Sequence, residues 1–341
     1  MFRLIATYQW SSSGAAPRYV RRVITITNQN YSVLPIAPKG GTELLHEALL
    51  SEFGGSIGSD INFLISHTNQ RAILSGKKNI LWNHLSYDQE AIKGLANAEF
   101  LKRIDALVFV SHWQYEKFRY FFELPMHKCF VIKNAIPAID YAGRSPRDGK
   151  IKLIYTSTPW RGLDVLLDAF DQVEDPQVEL HVYSSTQIYG EKFHLENKQK
   201  FDALWSKARS SNRVQLHGYK SNAEVRQALM TSHIYVYPST FEETSCLSAL
   251  EAAMAGCRLL VTNFGALFET LGEWPEYVNI NYDKVALTNN FAQRLNRLIK
   301  QYRTQDNESY LRAQSEYFNR FWTWKVRKPE WEALFSWLRS I

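Results

Sequence analysis

An acidic loop followed by a helical pattern holds the residues whose types and spacing best suit chemistry. The segment at 237–256 reads YPSTFEETSCLSALEAAMAG and comes directly after a short apolar strand pattern. Its helix is predicted to begin with small or polar residues, Thr244, Ser245 and Cys246, which leave the free N–H groups of the first turn accessible. Because that end of a helix dipole attracts anions, the segment predicts a phosphate site.

Carboxylates lie on both sides of this predicted helix start. Glu242 and Glu243 precede it, and Glu251 lies further along, where a carboxylate can hydrogen-bond the hydroxyls of a sugar. Taken alone, the segment also fits a surface helix with an ordinary N-terminal cap. The rest of the chain has to decide between an anion site and a capped helix.

A second loop carries a cation suited to the same anion. Residues 157–163 read STPWRGL and lie between a strand pattern and a helix pattern. Arg161 is always charged and can form paired hydrogen bonds with phosphate oxygens. If both loops lie at the carboxyl edge of one parallel sheet, Arg161 and the helix start after Ser245 converge on a diphosphate. A surface salt bridge is the alternative for Arg161.

The first half of the chain offers weaker signals. Gly40 and Gly41 lie just before a helix pattern, where a Gly-Gly turn allows a ligand to approach the backbone, although a plain turn fits equally well. His84 ends the strand pattern NILWNHL, at the edge where open parallel sheets bind ligands. A lone histidine is more often structural or exposed, so position is the only argument for His84.

The elements that must hold these residues alternate along the chain. Strand patterns lie at 61–66, 79–85, 106–111, 130–132, 152–157, 178–184, 214–219, 234–238, 258–263 and 278–282. Helix patterns lie at 88–103, 112–124, 162–172, 191–210, 222–231, 286–304 and 307–321. This alternation predicts an α/β protein with right-handed crossovers and parallel sheets. Near the N-terminus, two strand-like runs include an Asn-Gln-Asn tripeptide, Asn28 to Asn30, that can form a hairpin turn.

A break in the alternation divides the chain. Residues 138–150 lack periodicity, are rich in Gly, Pro and charge, and are predicted to be an interdomain linker. We therefore expect one domain at 1–140 and another at 150–318, both doubly wound and facing each other across a cleft. A tryptophan-rich helix at about 320–341 is predicted to pack back on the first domain, with a membrane-facing amphipathic helix as the alternative.

Composition excludes several classes of protein. The chain of 341 residues is 45% hydrophobic and 22% charged, which is typical of a soluble globular protein. It shows no apolar run of about 20 residues that could span a membrane, and no signal-peptide pattern. Its three cysteines form neither a disulfide framework nor a metal-ligand spacing, so a cytoplasmic location is expected. The net charge of +6 fits either an anionic membrane surface or a mildly basic surface, and no motif indicates nucleic acid.

Motifs that are absent from the sequence narrow the classes of reaction that fit it. No GxGxxG fingerprint for a nicotinamide dinucleotide is present, no GxxxxGK[ST] phosphate loop, and no paired Asp residues of the DxD type that binds a metal ion. A nucleotide bound across a cleft between two domains favours group transfer. A leaving diphosphate would then be neutralised by Arg161 and backbone N–H groups without a bound metal ion.

The residues now match a known family. The run FEETSCLSALEAAMAG resembles the E-x7-E signature of retaining glycosyltransferases of family 4, whose GT-B fold has two Rossmann-like domains; Glu243 and Glu251 form the matching pair. Further runs similar to this family follow in the right order: KGGTELL, WNH, VSHWQ, VIKNAI, STPWRGLDVLLDAF, VQLHGY and GALFE. The resemblance therefore covers most of the chain beyond its first 30 residues.

The resemblance implies roles for the donor. Glu243 would contact the hydroxyls of the transferred sugar, and Glu251 the ribose of the nucleotide. Backbone N–H groups from Ser245 to Leu247, together with the Arg161 side chain, would hold the diphosphate. The remaining donor-binding residues implied by the matched motifs are Ser157, Thr158, Tyr219, Thr244 and Cys246.

The resemblance also implies the reaction. His84 would lie near the anomeric carbon, and Gly40 and Gly41 would form the floor of the cleft. The enzyme would transfer a hexosyl unit from a nucleotide diphosphate sugar to a glycan or lipid-linked acceptor, with retention and without a metal ion or other cofactor. Glu242 lies outside the matched spacing and is expected to be a bystander.

Two departures from the family pattern leave alternatives open. Many members carry an Arg and then a Lys in the 157–163 loop, whereas here Thr156 or Ser157 aligns with the Arg and Arg161 with the Lys. The phosphate clamp is therefore leaner, or it is supplemented by Thr158 or Lys220. Thr244 stands where a glycine often follows the first acid, which leaves the identity of the donor open.

Two other functions fit the same fold. One is a non-hydrolysing sugar-nucleotide epimerase, which would consume a nucleotide sugar without an acceptor. The other is a non-catalytic protein that binds a glycan or a nucleotide without turnover.

Overall fold

The computed structural model describes residues 40–141 and 149–341, together with the backbone of two N-terminal strands. These strands, β1 (Phe2–Gln9) and β2 (Arg18–Thr25), pair antiparallel with Phe2 opposite Thr25. The hairpin turn predicted at Asn28 to Asn30 and residues 142–148 of the predicted linker lie outside the described residues.

A parallel sheet organises the first domain. Its strands run in chain order, β3 (Ile61–Ile65), β4 (Lys78–Asn83), β5 (Ala106–Phe109) and β6 (Cys129–Val131). β4 and β5 are buried because helices cover both faces of the sheet, which explains their continuous apolar sequences. The helices of this domain are α1 (Gly41–Phe53), α2 (Ala98–Lys102) and α3 (His112–Phe121).

A second parallel sheet organises the C-terminal domain. Its strands are β7 (Ile151–Tyr155), β8 (Val178–Val182), β9 (Val214–Leu216), β10 (Ile234–Tyr237), β11 (Arg258–Asn263) and β12 (Glu276–Asn279). They lie in the order β12-β11-β10-β7-β8-β9, so the chain builds outward from β7 and then crosses back to start the other half at β10. The crevice between the carboxyl ends of β7 and β10 is the point where open sheets of this type bind ligands.

Helices on both faces enclose this second sheet. They are α4 (Leu163–Phe170), α5 (Glu191–Asn197), α6 (Asp202–Ser210), α7 (Asn222–Thr231), α8 (Leu247–Met254), α9 (Leu267–Leu271), α10 (Lys284–Thr304) and α11 (Glu308–Phe321). The side chains of α4 and α8 are largely buried against the strands. The predicted α/β fold with two parallel, Rossmann-like sheets is confirmed.

The last helix, α12 (Trp324–Ser340), packs against the first domain. Trp331 is fully buried, and its ring centroid lies 5.0 Å from that of Trp82 on β4 and 5.9 Å from that of Phe63 on β3. The apolar face of this helix therefore completes the core of the N-terminal sheet. Within the described residues, no helix has both the length and the apolar character needed to cross a membrane.

Several predicted element limits are wrong. The helix predicted at 88–103 is a 3₁₀ turn, Glu90–Ala96, followed by the short α2, because Gly94 lies so close to Thr68 that its N–H donates to the Thr68 hydroxyl at 3.1 Å. The helix predicted at 191–210 is divided between α5 and α6 by a 3₁₀ turn, Gln199–Phe201. The last strand lies at Glu276–Asn279, earlier than the predicted 278–282.

The start of α8 also differs from the prediction. Thr244, Ser245 and Cys246 form an irregular loop, extended at Cys246, and the helix begins at Leu247. The loop stays out of the helix because Glu243, just before it, pairs with Gly265 in a parallel β-bridge beyond the end of β10. The predicted anion-binding turn is therefore a loop that leads into the helix N-terminus.

Candidate functional site

A cavity of about 700 Å3 lies between the two sheets, at their carboxyl edges. This size is in the range of pockets that hold small-molecule ligands. All the site residues predicted from the sequence line it: Gly40, Gly41, His84, Ser157, Thr158, Arg161, Tyr219, Glu243, Thr244, Ser245, Cys246, Leu247 and Glu251. The structure thus brings together residues that are more than 200 positions apart in the chain.

The loop between β7 and α4 positions Arg161. The Tyr155 hydroxyl, at the end of β7, donates a hydrogen bond to the Thr158 carbonyl at 2.7 Å and fixes the start of the loop. Gly162 ends it with φ at +90°, and a Cβ there would lie 1.9 Å from the Pro238 carbonyl oxygen. Only glycine fits this close approach. Gly162 therefore lets the loop that carries Arg161 pack against the end of β10.

The loop between β10 and α8 positions Glu243. Its backbone carbonyl accepts a hydrogen bond from the Ala266 N–H at 2.6 Å, and Gly265, with φ at +65°, lies too close to the loop to carry a side chain. The side chain is 2% exposed and accepts a hydrogen bond from the Tyr237 hydroxyl. Glu243 is therefore a buried carboxylate held by its backbone and by its side chain.

Arg161 and Glu243 contact each other directly. Nη1 of Arg161 donates to Oε1 of Glu243 at 2.8 Å and to Oε2 at 3.1 Å, and the guanidinium lies 4.4 Å from the centroid of the Phe241 ring. The resemblance gave these two residues separate ligand groups, the diphosphate and the sugar. The structure joins them into one ion pair, so both ligand groups would meet at the same point.

The N-terminus of α8 lies in the same cavity without a side-chain cap. Cys246 occupies the cap position, but its side chain accepts no hydrogen bond from the first turn. Burial raises the pKa of the Cys246 thiol to about 12, with a smaller contribution from the nearby Glu243. The thiol is therefore neutral at pH 7. The helix end keeps its partial positive charge available to an anion.

Glu251 lies on the cavity side of α8. It is 5% exposed, and its Oε1 accepts hydrogen bonds from Nε of Arg226 at 2.8 Å and from Nδ2 of Asn222 at 3.2 Å. Burial raises the pKa of Glu251, and Arg226 opposes that effect. Both donors come from α7 and use the same carboxylate oxygen, so the second oxygen is available to a ligand hydroxyl.

His84 follows β4 on the opposite wall. Its backbone N–H donates to Oγ of Ser66, and its carbonyl accepts a hydrogen bond from the Thr244 hydroxyl at 2.9 Å across the cleft. Burial, with a smaller effect of His46, lowers the pKa of His84 to about 3. The imidazole is therefore neutral at pH 7, and its buried Nε2 has no hydrogen-bond partner among the described residues.

Gly40 and Gly41 line the floor of the cavity at the N-terminus of α1. A Cβ on Gly41 would lie 3.0 Å from Cδ1 of Leu247, so the N-terminus of α1 faces the N-terminus of α8 at close range. Gly40 is the N-cap residue of α1 and provides no side chain to cap it. The floor of the cavity is thus built from two helix ends.

The far end of the cavity follows β8 and β9. Tyr219 and Lys220 line it after β9, and the ring of Tyr183 after β8 stacks on His217 with 4.2 Å between ring centroids. Lys220 Nζ lies 3.4 Å from a carboxylate oxygen of Glu224. This end offers aromatic faces and one partly paired cation.

Several polar atoms around the cavity are buried without a partner in the described part of the chain. Such groups are rare in folded proteins and are common at sites that bind a polar ligand or water. They are Nε2 of His84, Oδ1 of Asn134, Oγ1 of Thr156, Oγ1 of Thr158, Nε of Arg161 and Oγ of Ser245. Among residues 40–141 and 149–341, no three His, Cys, Asp or Glu side chains converge in a set that could hold a metal ion.

Sequence reasoning missed some residues of the site. Tyr237 and Phe241 flank the acidic loop and were visible in the opening segment, where an aromatic next to an acid is a usable signal. Asn222, Arg226 and Asn134 carried no signal, because their roles come from α7 and from the end of the first domain folding over the cavity. Glu242, expected to be a bystander, lies 3.9 Å from Nζ of Lys117 in the first domain.

Comparisons with solved structures agree with this architecture. A glycosyltransferase from Rickettsia africae is 15% identical, with a TM-score of 0.65 over 92% of this chain and 85% of its own. HepE of Anabaena, solved with UDP and glucose, is 16% identical, with a TM-score of 0.63 over 87% of this chain and 83% of its own. Sucrose-phosphate synthase of Thermosynechococcus elongatus is 16% identical, with a TM-score of 0.61 over 86% and 76%. At this level of identity the likeness establishes the fold, which is GT-B.

Sequence comparison identifies the family. A search of curated proteins finds no match. The family model described as "Glycosyl transferases group 1" matches residues 145–316, which include β7 to α10, the first part of α11 and both loops that carry Arg161 and Glu243. Because this match spans half of the chain, the protein belongs to the group 1 glycosyltransferases.

Proposed function

We propose that this glycosyltransferase is a retaining enzyme of family 4, with Glu243 and Glu251 as its E-x7-E pair. It moves a hexosyl unit from a nucleotide diphosphate sugar to a glycan or lipid-linked acceptor without a metal ion. The observation that carries the proposal is the convergence of every predicted site residue on one cavity. Arg161 and Glu243 meet there at the switch point of the C-terminal sheet.

The donor half of the proposal rests on the C-terminal domain. The uncapped end of α8 and the Arg161 guanidinium hold the diphosphate, because both present N–H groups and positive charge to the same volume. The second oxygen of Glu251 accepts a ribose hydroxyl. Tyr219 lies by the nucleobase at the far end of the cavity.

The transfer step takes place between Glu243 and His84. Glu243 hydrogen-bonds the sugar hydroxyls, and the neutral imidazole of His84 faces the sugar near its anomeric carbon. The bond from that carbon to the diphosphate breaks, and a bond to the acceptor oxygen forms on the same face. The acceptor proton passes to the departing diphosphate, whose charge Arg161 and the α8 N–H groups stabilise.

Structural neighbours that have been solved with bound ligands indicate which donors to test first. HepE has been solved with UDP-glucose, and a pneumococcal O-GlcNAc transferase, 14% identical with a TM-score of 0.59, with UDP and GlcNAc. We therefore propose uridine diphosphate hexoses as the first candidates. We also propose a cytoplasmic location with peripheral contact to an anionic membrane surface, the place of a lipid-linked acceptor. The net charge of +6 supports the membrane contact.

A thermal-shift screen of nucleotides and nucleotide sugars tests the donor site. A nucleoside diphosphate and its hexose should raise Tm, with a stabilisation that grows as the logarithm of ligand concentration and reaches about 2.7 kcal/mol at 100 times Kd. The shift should persist in EDTA and should be much smaller for the monophosphate, which lacks the second phosphate. No shift with any nucleoside diphosphate would refute the donor site, and a shift that requires a divalent ion would refute metal independence.

A further inference from the structure

Glu269 of α9 reaches across the cleft to the first domain. Its Oε1 accepts a hydrogen bond from the backbone N–H of His112 at 2.9 Å, and its Oε2 accepts one from the N–H of Trp113 at 2.8 Å. Both N–H groups belong to the first turn of α3. A carboxylate of the C-terminal domain thus caps a helix of the N-terminal domain.

The contact has the chemistry of a strong helix cap. The first N–H groups of a helix have no partner within it, and its N-terminal dipole attracts a negative charge. The Ser111 side chain accepts a hydrogen bond from the Gln114 N–H. Glu269 accepts those from the two preceding N–H groups of the helix, which belong to His112 and Trp113. Bonds from N–H groups to an ionised carboxylate are about twice as strong as neutral ones.

Two side chains of the first domain reinforce this cap. Nδ1 of His112 lies 2.9 Å from Oε1 of Glu269, and Nζ of Lys133 lies 3.2 Å from the same oxygen. Burial acts to raise the pKa of Glu269, but the two backbone N–H groups, His112 and Lys133 outweigh it and the pKa is lowered. The carboxylate is therefore charged at neutral pH, as a helix cap requires.

The same element is joined to the candidate catalytic loop. Gly265 and Ala266, just before α9, pair with the backbone of Glu243 through a parallel bridge and a 2.6 Å hydrogen bond. A Cβ on Gly265 would lie 2.4 Å from the Glu243 nitrogen, so the two backbone segments are in close contact and leave no room for a side chain. Any force that holds Glu269 against α3 therefore also holds the backbone of Glu243.

Two weaker contacts cross the cleft nearby. The Thr244 hydroxyl donates to the His84 carbonyl at 2.9 Å, and Lys117 lies 3.9 Å from Glu242. The first is a neutral hydrogen bond and the second is a long, partly exposed ion pair, which contributes little. Of these three contacts, the one made by Glu269 combines charge, two backbone donors and partial burial.

We propose that Glu269 is a positioning residue for sugar transfer, which closes the two domains by capping α3 and so places Glu243 opposite His84. It touches neither sugar nor nucleotide, and it acts through the separation of the domains. The inference rests on the proposed transfer reaction for its kinetic consequence but not for its structural one.

The test compares Glu269→Ala and Glu269→Gln with Glu273→Ala in the full-length chain. Glu273 is an exposed acid just beyond α9 and has no ion-pair partner in the described structure, so it matches the charge change. Small-angle scattering without substrate should show a larger radius of gyration for Glu269→Ala than for wild type or Glu273→Ala. Glu269→Gln keeps one acceptor oxygen and loses the charge, so it should lie between them.

Kinetics provide the readout that a purely structural role would not move. We expect kcat of Glu269→Ala to fall about tenfold or more, because only the closed fraction of molecules turns over. Its Kd for the nucleoside diphosphate should change less than about threefold, because that ligand is held by the C-terminal domain. Glu269→Gln should recover part of kcat.

Each outcome decides one question. Wild-type compactness and wild-type kcat in Glu269→Ala would overturn the inference, as would an equal loss of kcat and donor affinity. If Glu269→Ala does not fold, Glu269→Gln and Lys133→Met carry the same comparison, with intermediate compactness and kcat expected for each. If the wild-type protein turns over no nucleotide sugar, the proposed function fails, while scattering still shows whether Glu269 closes the domains.

Discussion

At the scale of single residues, the ion pair of Arg161 and Glu243 places a cation and an anion side by side in the cleft. The side chain of Glu243 is almost fully buried, and the side chain of Arg161, which lines the cavity, is 27% exposed. An anion that enters can share the guanidinium, while a sugar hydroxyl can donate to the carboxylate. The ion pair therefore holds each group in place for its ligand at a desolvation cost that the other group offsets.

Replacing Arg161 by alanine should separate its two roles. We expect the rate at which nucleoside diphosphate is released from the nucleotide sugar to fall at least about 100-fold. This is the usual effect of removing one preorganised hydrogen-bond donor that stabilises developing charge. The free energy of unfolding should fall by about 1–3 kcal/mol, because Glu243 is left buried with one hydrogen-bond donor fewer. Denaturant titration and a turnover assay measure the two effects, and Arg209→Ala, an exposed arginine of α6, serves as the control.

A double variant tests whether the loss of stability comes from the uncompensated charge. In Arg161→Met with Glu243→Gln neither charge remains, so at least half of the unfolding free energy lost in Arg161→Met alone should return, while turnover stays at least about 100-fold below wild type. Strictly additive losses in this cycle would show that the two side chains do not interact in solution.

Residue types were easier to predict than residue partners. Glu243, Glu251 and the 157–163 loop stand in local motifs, so a short stretch of sequence identifies them. Arg161 meets Glu243 across 82 positions and Arg226 meets Glu251 across 25, and only the folded sheet brings them together. The pairing of Glu251 with Arg226 was missed for this reason.

At the scale of elements, one glycine sets the geometry of the phosphate loop. Gly162→Ala places a Cβ 1.9 Å from the Pro238 carbonyl oxygen in a left-handed backbone conformation, whereas Gly76, with φ at +74°, has open space around it. Gly76→Ala should cost about 1–3 kcal/mol of unfolding free energy from the backbone alone. Gly162→Ala should cost more and should also reduce turnover, since the loop must move to relieve the clash.

Denaturant unfolding of the two alanine variants measures this difference directly. Equal losses of unfolding free energy would show that the loop does not pack against β10 as described. A larger loss for Gly76→Ala would contradict the account of both turns.

The limits of elements were predicted less well than their existence. The apolar strands are unambiguous because helices bury both of their faces, and β3 to β12 all lie within a few residues of their predicted positions. Contacts between distant segments move the ends of elements: the Glu243–Gly265 bridge keeps residues 244–246 out of α8, although their small side chains suit a helix. Such contacts between distant segments leave no periodic signal in the sequence.

At the scale of the whole molecule, two parallel sheets place their carboxyl edges on one cavity. The alternation of strands and helices was sufficient to predict both sheets, and their edges to predict the cleft. The cross-cleft cap at Glu269 could not be predicted, because it depends on how the domains face each other. The domain limits at 140 and 150 remain a prediction, since residues 142–148 lie outside the described structure.

Time-resolved proton NMR of the wild-type protein with its donor, with and without a glycan acceptor, tests the central claim most directly. The account predicts release of a nucleoside diphosphate, with the hexose first appearing in the anomeric configuration that it had in the donor. Inverted hexose would contradict retention. An epimerised nucleotide sugar without release of the diphosphate, or binding with no turnover at all, would contradict sugar transfer itself.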